Sequence, residues 1–416
     1  MRFQAPRGTE DVLPDEASRW LRLETQFREL TRRYGYGELR TPTFEDTSLF
    51  LRTAGETSDI VTKEMYTFID KGDRSVTLKP EGTAPAMRAL IEHNLCPPGT
   101  VTRLCYVTPC FRYSRPQKGR LRELHQFGLE LIGSPSATAD AEVIELTVRF
   151  FQSLGLRQLN MLINSIGRDE CRNAYREAIL AHMASYLRDR DEAFRAQVEK
   201  NPLRLLDSKD AEVHRALEGL APISDFYEDS SRERFDRLQA LLTEADVPYT
   251  VRPDIVRGLD YYTETVFEMQ HPALGEGVSM CGGGRYDNLV KELGGAATPS
   301  VGVGIGVERT LLALAGEGVE VAVDRPIAFV VSATPDAFSA AQRLVRELRS
   351  DGLMVGTDID GKSMKSQLRQ ADKSGARFAL VIGEEELARG TVQVKELGTG
   401  EQLEVALDQV IERLRA

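Results

Sequence analysis

No stretch of this chain is a run of about 18 apolar residues, so no segment has the length of a membrane-spanning helix. The first residues, MRFQAPRGTEDVLP, lack the apolar core of a secretory signal. Cysteine is scarce: Cys96, Cys105, Cys110, Cys171 and Cys281 form no Cys-x-x-Cys pair, and their odd number fits reduced thiols in a cytoplasmic protein. The five histidines are scattered, without His-Glu-x-x-His or zinc-like spacing, so no metal is expected to rest on protein side chains. Neither a Gly-Lys-Ser/Thr P-loop nor a Gly-x-Gly-x-x-Gly turn opening a βαβ unit is present, which excludes two familiar phosphate-binding loops. Positive charge is lacking overall. With a net charge of -11, no global basic field points to nucleic acid, and any RNA contact must come from local patches.

What is present is a chain of 416 residues, longer than one core usually grows, so two or three domains are expected. Trp20, Leu23, Phe27, Leu30 and Tyr34 recur at helical steps and predict a first helix over 15–34. SVTLKPEGTAPAMRAL predicts a strand, a turn and a helix, with Thr83 as N-cap and Pro85 in the first turn. Glu81 then has two readings, a carboxylate at a helix N-terminus or a ligand-binding acid in a strand-end loop. Residues 168–243 are rich in charge, Ala and Leu at helical periods and predict an all-helical insertion. It divides one domain into 1–167 and 244–320. Beyond the linker GEGVEVAVDRP, strands and helices alternate over 326–416, which predicts a separate α/β domain. There, Lys362, Lys365, Arg369, Lys373 and Arg377 fall on one helical face. Such a ridge suits an RNA backbone, although on charge alone a solvated face is the commoner case.

The stretch 103–133, RLCYVTPCFRYSRPQKGRLRELHQFGLELIG, predicts an antiparallel hairpin with a basic loop. Alternation puts Arg122, Leu124, Gln126, Gly128 and Glu130 on one face, and His125, Phe127, Leu129 and Leu131 on the other. Guanidiniums beside a carboxylate and an amide suit a zwitterion next to a polyphosphate; an ordinary amphipathic hairpin is the other reading. Further on, SMCGGGRYDNLV allows close backbone approach to a ligand, and VGVGIGVERTLLALAG runs a Gly-lined strand into a helix that begins with Arg309.

Taken together, these motifs resemble histidyl-tRNA synthetases, a family of class II aminoacyl-tRNA synthetases, over essentially the whole chain. GELRTPTFEDTSLF is similar to class motif 1, with Pro42 at its proline position. CFRYSRPQKGRLRELHQFGLE resembles motif 2 with Arg112, and VGVGIGVERTLLAL resembles motif 3 with Arg309. VRGLDYYTETVFE and CGGGRYDNLV resemble the two histidine-specific signatures, and KNPLRLLDSKD resembles part of the family's helical insertion. One departure stands out: motif 2 normally reads Phe-Arg-x-Glu, and here it is Phe111-Arg112-Tyr113-Ser114. The missing acid implies weakened rather than abolished ATP binding.

The resemblance implies an α+β fold: an antiparallel-sheet class II catalytic domain with a helical insertion, followed by an α/β anticodon-binding domain. It implies ATP with Mg²⁺, histidine and tRNA(His) as partners, and a homodimer built through motif 1. Arg112 and Arg257 would act on the α-phosphate and Arg309 on the γ-phosphate. Thr83, Gln126 and Glu130 would hold the α-amino group. Glu81 and Tyr262, with Tyr286 nearby, would read the imidazole, and Arg115 and Gln117 would meet the tRNA acceptor end. The rival expectation is a regulatory subunit of ATP phosphoribosyltransferase built on the same fold. The Arg257 motif and the C-terminal domain, typically missing from such subunits, speak against it.

Overall fold

The computed structural model describes residues 3–53, 60–206, 208, 210–255, 261–275 and 277–415. The chain divides into two compact units, 1–321 and 322–416.

The first unit is built on an eight-stranded sheet. Its order is Gly37–Glu38, Thr102–Phe111, Glu123–Ile132, Ser300–Gly306, Ser279–Arg285, Thr263–Gln270, Asn160–Ser165, Thr250–Val251. All interior pairings are antiparallel, and only the two short outer strands pair in parallel. The expected hairpin is at its centre, with Phe111 opposite Glu123 and Thr102 opposite Ile132. One sheet face buries Phe127, Leu129 and Leu131 against the helices Pro14–Arg33 and Ala137–Ser153. Phe127 stacks on Phe27 at 4.7 Å and meets Phe150 edge-on at 5.5 Å, the offset and T-shaped geometries that aromatic quadrupoles favour. The opposite face is covered in part by Thr83–Glu92 and Asp169–His182, through Met87, Leu90, Tyr175 and Ile179.

Among the described residues of 168–243 the regular elements are all helices, as the sequence predicts, but they do not form one separate body. The last of them, Asp229–Glu244, packs Phe235, Leu238 and Leu242 into the same core as Phe127 and Phe150. An amphipathic helix of that length buries its stripe on whatever apolar face lies nearest, and here that face is the sheet's own helical layer. A small antiparallel sheet, Phe44–Asp46, Ser75–Leu78 and Tyr66–Ile69, takes its first strand from the motif-1-like stretch. Phe44, Phe68 and Ile69 are exposed on it, and the Phe44 and Phe68 rings lie 6.4 Å apart.

The second unit carries a five-stranded sheet in the order Val355–Thr357, Ala328–Ser332, Phe378–Ile382, Thr391–Glu396, Gln402–Ala406. The first three strands are parallel and the last two add an antiparallel hairpin that the sequence reading did not anticipate. The expected five-residue basic ridge is shorter than the spacing implied. The helix runs only Met364–Ser374, so it carries Lys365, Arg369 and Lys373, and Gly375 caps it in the left-handed region, which a glycine adopts without a Cβ clash. Lys362 pairs with Asp360 before the helix, and Arg377 pairs with Glu396 after it.

Candidate active site

The polar face of the hairpin opens on a cavity of about 620 Å³. Glu81, Thr83, Arg112, Gln117, Gln126, Tyr262 and Arg309 line it, so seven side chains singled out from the sequence meet around one space. Arg112 follows directly on the first strand of the hairpin. Its backbone N–H donates to Arg122 O at 2.8 Å, and its Nε donates to Pro80 O at 2.7 Å. The guanidinium is thus tied to the turn that presents Glu81. Arg309, in the first turn of Val307–Gly316, donates to Gly119 O at 3.1 Å and Ser279 O at 2.6 Å, joining the hairpin loop to the glycine-rich strand.

Glu81 fulfils the helix N-terminus reading and also faces the cavity. Its two carboxylate oxygens accept from Thr83 N at 2.6 Å and Ala84 N at 2.8 Å, and it also lines the cavity. The expected capping role of Thr83 is therefore corrected. Thr83 is the first helical residue, Gly82 is at the cap, and Glu81 satisfies the orphan N–H groups because a carboxylate two residues upstream reaches them. Burial raises the Glu81 carboxyl, against the pull of those N–H donors.

Glu130 and Tyr286 do not line the cavity; they are fully buried just behind its wall. Glu130 Oε1 accepts from Tyr106 Oη at 2.8 Å, and Oε2 accepts from Tyr286 Oη. Thr83, on the cavity wall, has its hydroxyl 3.5 Å from the Tyr106 phenol that donates to this carboxylate. Burial pushes the Glu130 carboxyl up to about 8, while the phenols of Tyr286 and Tyr106 and the Thr83 hydroxyl act in the opposite sense. Two glycines make this arrangement possible. A Cβ on Gly128 would fall within the Tyr106 ring, and one on Gly302 would fall on the Glu130 carboxylate.

The remaining candidate residues divide. Arg115 is exposed in the hairpin loop and is not among the cavity-lining residues. Arg257 lies outside the described residues. Ser114 is buried beside Arg112 on the cavity wall, and its Oγ has no hydrogen-bond partner among the described residues. The sequence places Arg120 among the hairpin-loop guanidiniums near the cleft, where it is found; it does not point to three further lining residues that bear chemistry, Tyr261, Glu268 and Glu308. Arg120 pairs with Glu64 at 2.7 Å. Tyr261 packs against the Tyr262 ring at 4.6 Å. Glu268 accepts from Gln270 Nε2 at 2.7 Å, and Glu308 accepts from His125 N at 2.9 Å. Tyr261 and Glu308 each sat beside a residue already singled out; the strand register that turns Glu268 inward was not readable.

A model described as histidyl-tRNA synthetase matches residues 8–310, and one described as anticodon binding domain matches residues 327–416. The chain belongs to the histidyl-tRNA synthetase family. It is 45% identical over 414 residues to the histidine–tRNA ligase of Geobacillus thermodenitrificans, covering 99% of this chain and 97% of that one. It is 46% identical to that of Caldanaerobacter subterraneus, covering 99% of both. The crystal structure of apo Staphylococcus aureus histidyl-tRNA synthetase superposes with a TM-score of 0.84 at 36% identity, over 100% of both chains. In this synthetase the large antiparallel-rich sheet is thus the catalytic domain, and the second unit is the anticodon-binding domain.

Proposed function

We propose that this chain activates histidine with ATP and transfers it to the 3′ end of tRNA(His). The full-length identity to histidine–tRNA ligases carries this reading, and the cavity supplies groups fit for it. A histidine carboxylate oxygen attacks the α-phosphorus of ATP, pyrophosphate leaves, and histidyl-adenylate remains. The tRNA 3′-hydroxyl then attacks the acyl carbon and AMP leaves. Such transfers depend on positioning and on cations aimed at developing negative charge. Arg112, with Arg257, acts on the α-phosphate, and Arg309 on the γ-phosphate. ATP enters as its Mg²⁺ complex, whose own phosphate oxygens supply much of the metal's coordination.

Recognition of histidine rests on buried polar groups that an apolar analogue would leave unpaired. Thr83, Gln126 and Glu130 take the α-amino group, and Glu81 and Tyr262 take the imidazole, with the Tyr286 phenol holding Glu130 behind them. Gln117, on the cavity wall, and Arg115, outside it, meet the acceptor end of the tRNA. The insertion within the catalytic domain, the α/β anticodon domain over 326–416 and a cytoplasmic location complete the reading. A homodimer is supported by the exposed Phe44 and Phe68, an apolar face of the kind that second copies cover. No helix among the described residues is long and apolar enough to cross a membrane.

Exchange of labelled pyrophosphate into ATP, run with each amino acid in turn, tests the reading. Histidine alone should support exchange; no exchange with any amino acid would favour the regulatory-subunit alternative. The buried Ser114 Oγ, without a hydrogen-bond partner among the described residues, stands where the family's motif 2 has an acid. Ser114→Glu should lower the ATP KM about threefold through a charge-assisted hydrogen bond. An unchanged or higher ATP KM would sink that account.

A further inference from the structure

The strand Asn160–Ser165 ends in a sharp turn that starts the helix Asp169–His182. This turn grips the segment that carries Tyr262. Arg172, one helical turn after Arg168, donates from its guanidinium to Tyr262 O at 2.5 Å. Two residues on, Glu264 has a left-handed backbone with φ of 50°, which a non-glycine residue adopts only under constraint. Its carboxylate is buried and accepts from Arg168 Nε at 3.0 Å and from Ser231 Oγ at 3.0 Å. Its backbone is clamped as well: Ile166 N donates to Glu264 O at 2.7 Å, and Glu264 N donates to Gly167 O at 2.9 Å. Upstream, the Asn164 side chain donates to Pro253 O at 3.1 Å and Ile255 O at 3.0 Å. Nine residues, 164–172, therefore hold backbone just before the histidine-signature stretch and within it.

We propose that Arg172, with Arg168 and Glu264, is a positioning device by which the helical insertion sets the place of Tyr262 in the histidine site. The inference rests on the proposed function. A peptide carbonyl fixed by a guanidinium leaves the Tyr262 ring little freedom, since Tyr261 packs on one side and Gly284 gives it room on another. Neither Arg172 nor Glu264 lines the cavity, so neither touches substrate and each acts through Tyr262. The strain at Glu264 is consistent with this role, because the surrounding contacts over-determine a backbone the residue would not choose alone.

The test is pyrophosphate exchange on the full chain, with KM measured separately for histidine and for ATP, alongside thermal melting. Arg172→Ala should raise the histidine KM about tenfold and leave the ATP KM within about twofold, since a misplaced contact costs only the ligand it serves. Arg172→Lys keeps a single donor and should fall between Arg172→Ala and the unaltered chain. Glu264→Gly accepts the left-handed backbone, so it should fold normally, yet it cuts the tether to Arg168 and Ser231 and should also raise the histidine KM. Equal changes in both KM values with a lowered melting point, or no change in either, would overturn the inference. Failure of the unaltered chain to exchange with histidine would overturn the proposed function, and this inference with it.

Discussion

Arg112→Ala should lower histidine-dependent pyrophosphate exchange by about 10³-fold, the loss expected when a cation aimed at a transferring phosphoryl group is removed. The α-phosphate gathers negative charge as the histidine carboxylate adds to it, and a guanidinium already in place needs no reorganisation at that moment. Arg112 meets this condition because Pro80 O holds its Nε and the hairpin holds its backbone. Arg112→Lys keeps the charge but loses the planar fork, so it should recover only part of the rate. Histidine binding, measured by calorimetry without ATP, should change little in either variant, which separates the phosphate role from a collapsed site. Exchange within threefold of the unaltered enzyme would exclude Arg112 from the reaction.

The sequence made the central hairpin legible because its alternation is strict. Phe127, Leu129 and Leu131 are too apolar to face water, so Gln126 and Glu130 had to face the other way. It also separated the C-terminal unit, where the rhythm changes from long strands to alternating short strands and helices. Depth was not legible. Period two assigns Glu130 to a face but does not say that Tyr106, opposite Gly128 on the neighbouring strand, covers that face. The pairing of a ring with a glycine was the available signal. Contacts across long separations were also out of reach. Nothing local to Arg172 indicates that it bonds a carbonyl 90 residues away. The Thr83 cap went wrong for a similar reason: propensity favoured threonine, while the turn geometry let Glu81 reach the same N–H groups with charge. The anticipated ridge from Lys362 to Arg377 is cut at both ends because the helix spans only Met364–Ser374, and the two outer charges pair with Asp360 and Glu396 instead.

Glu130→Gln should raise the histidine KM by about 10²-fold or more, as removal of one partner from a buried charge pair does. The same variant should melt about 2 °C or more above the parent at pH 8.5. Both effects come from one buried carboxyl. Burial moves it from 4.5 to about 8, so the folded chain keeps a proton that the unfolded chain releases. Because the folded value is the higher one, the stability linked to that proton is fully present below 4.5. It declines as pH rises towards about 8 and is lost above it. Glutamine has no proton to give up, so the variant gains on the parent across that window and keeps the advantage beyond it. Binding runs the other way. The incoming ammonium favours the carboxylate, so below about 8 each binding event must expel a proton. The parent's histidine KM should therefore fall by about fivefold from pH 7 to 8 and level off above, since the protonated fraction that must be expelled shrinks through that interval. The variant should show a high KM without that slope. A flat parental profile, or the same slope in Glu130→Gln, would mean that Glu130 does not receive the amino group.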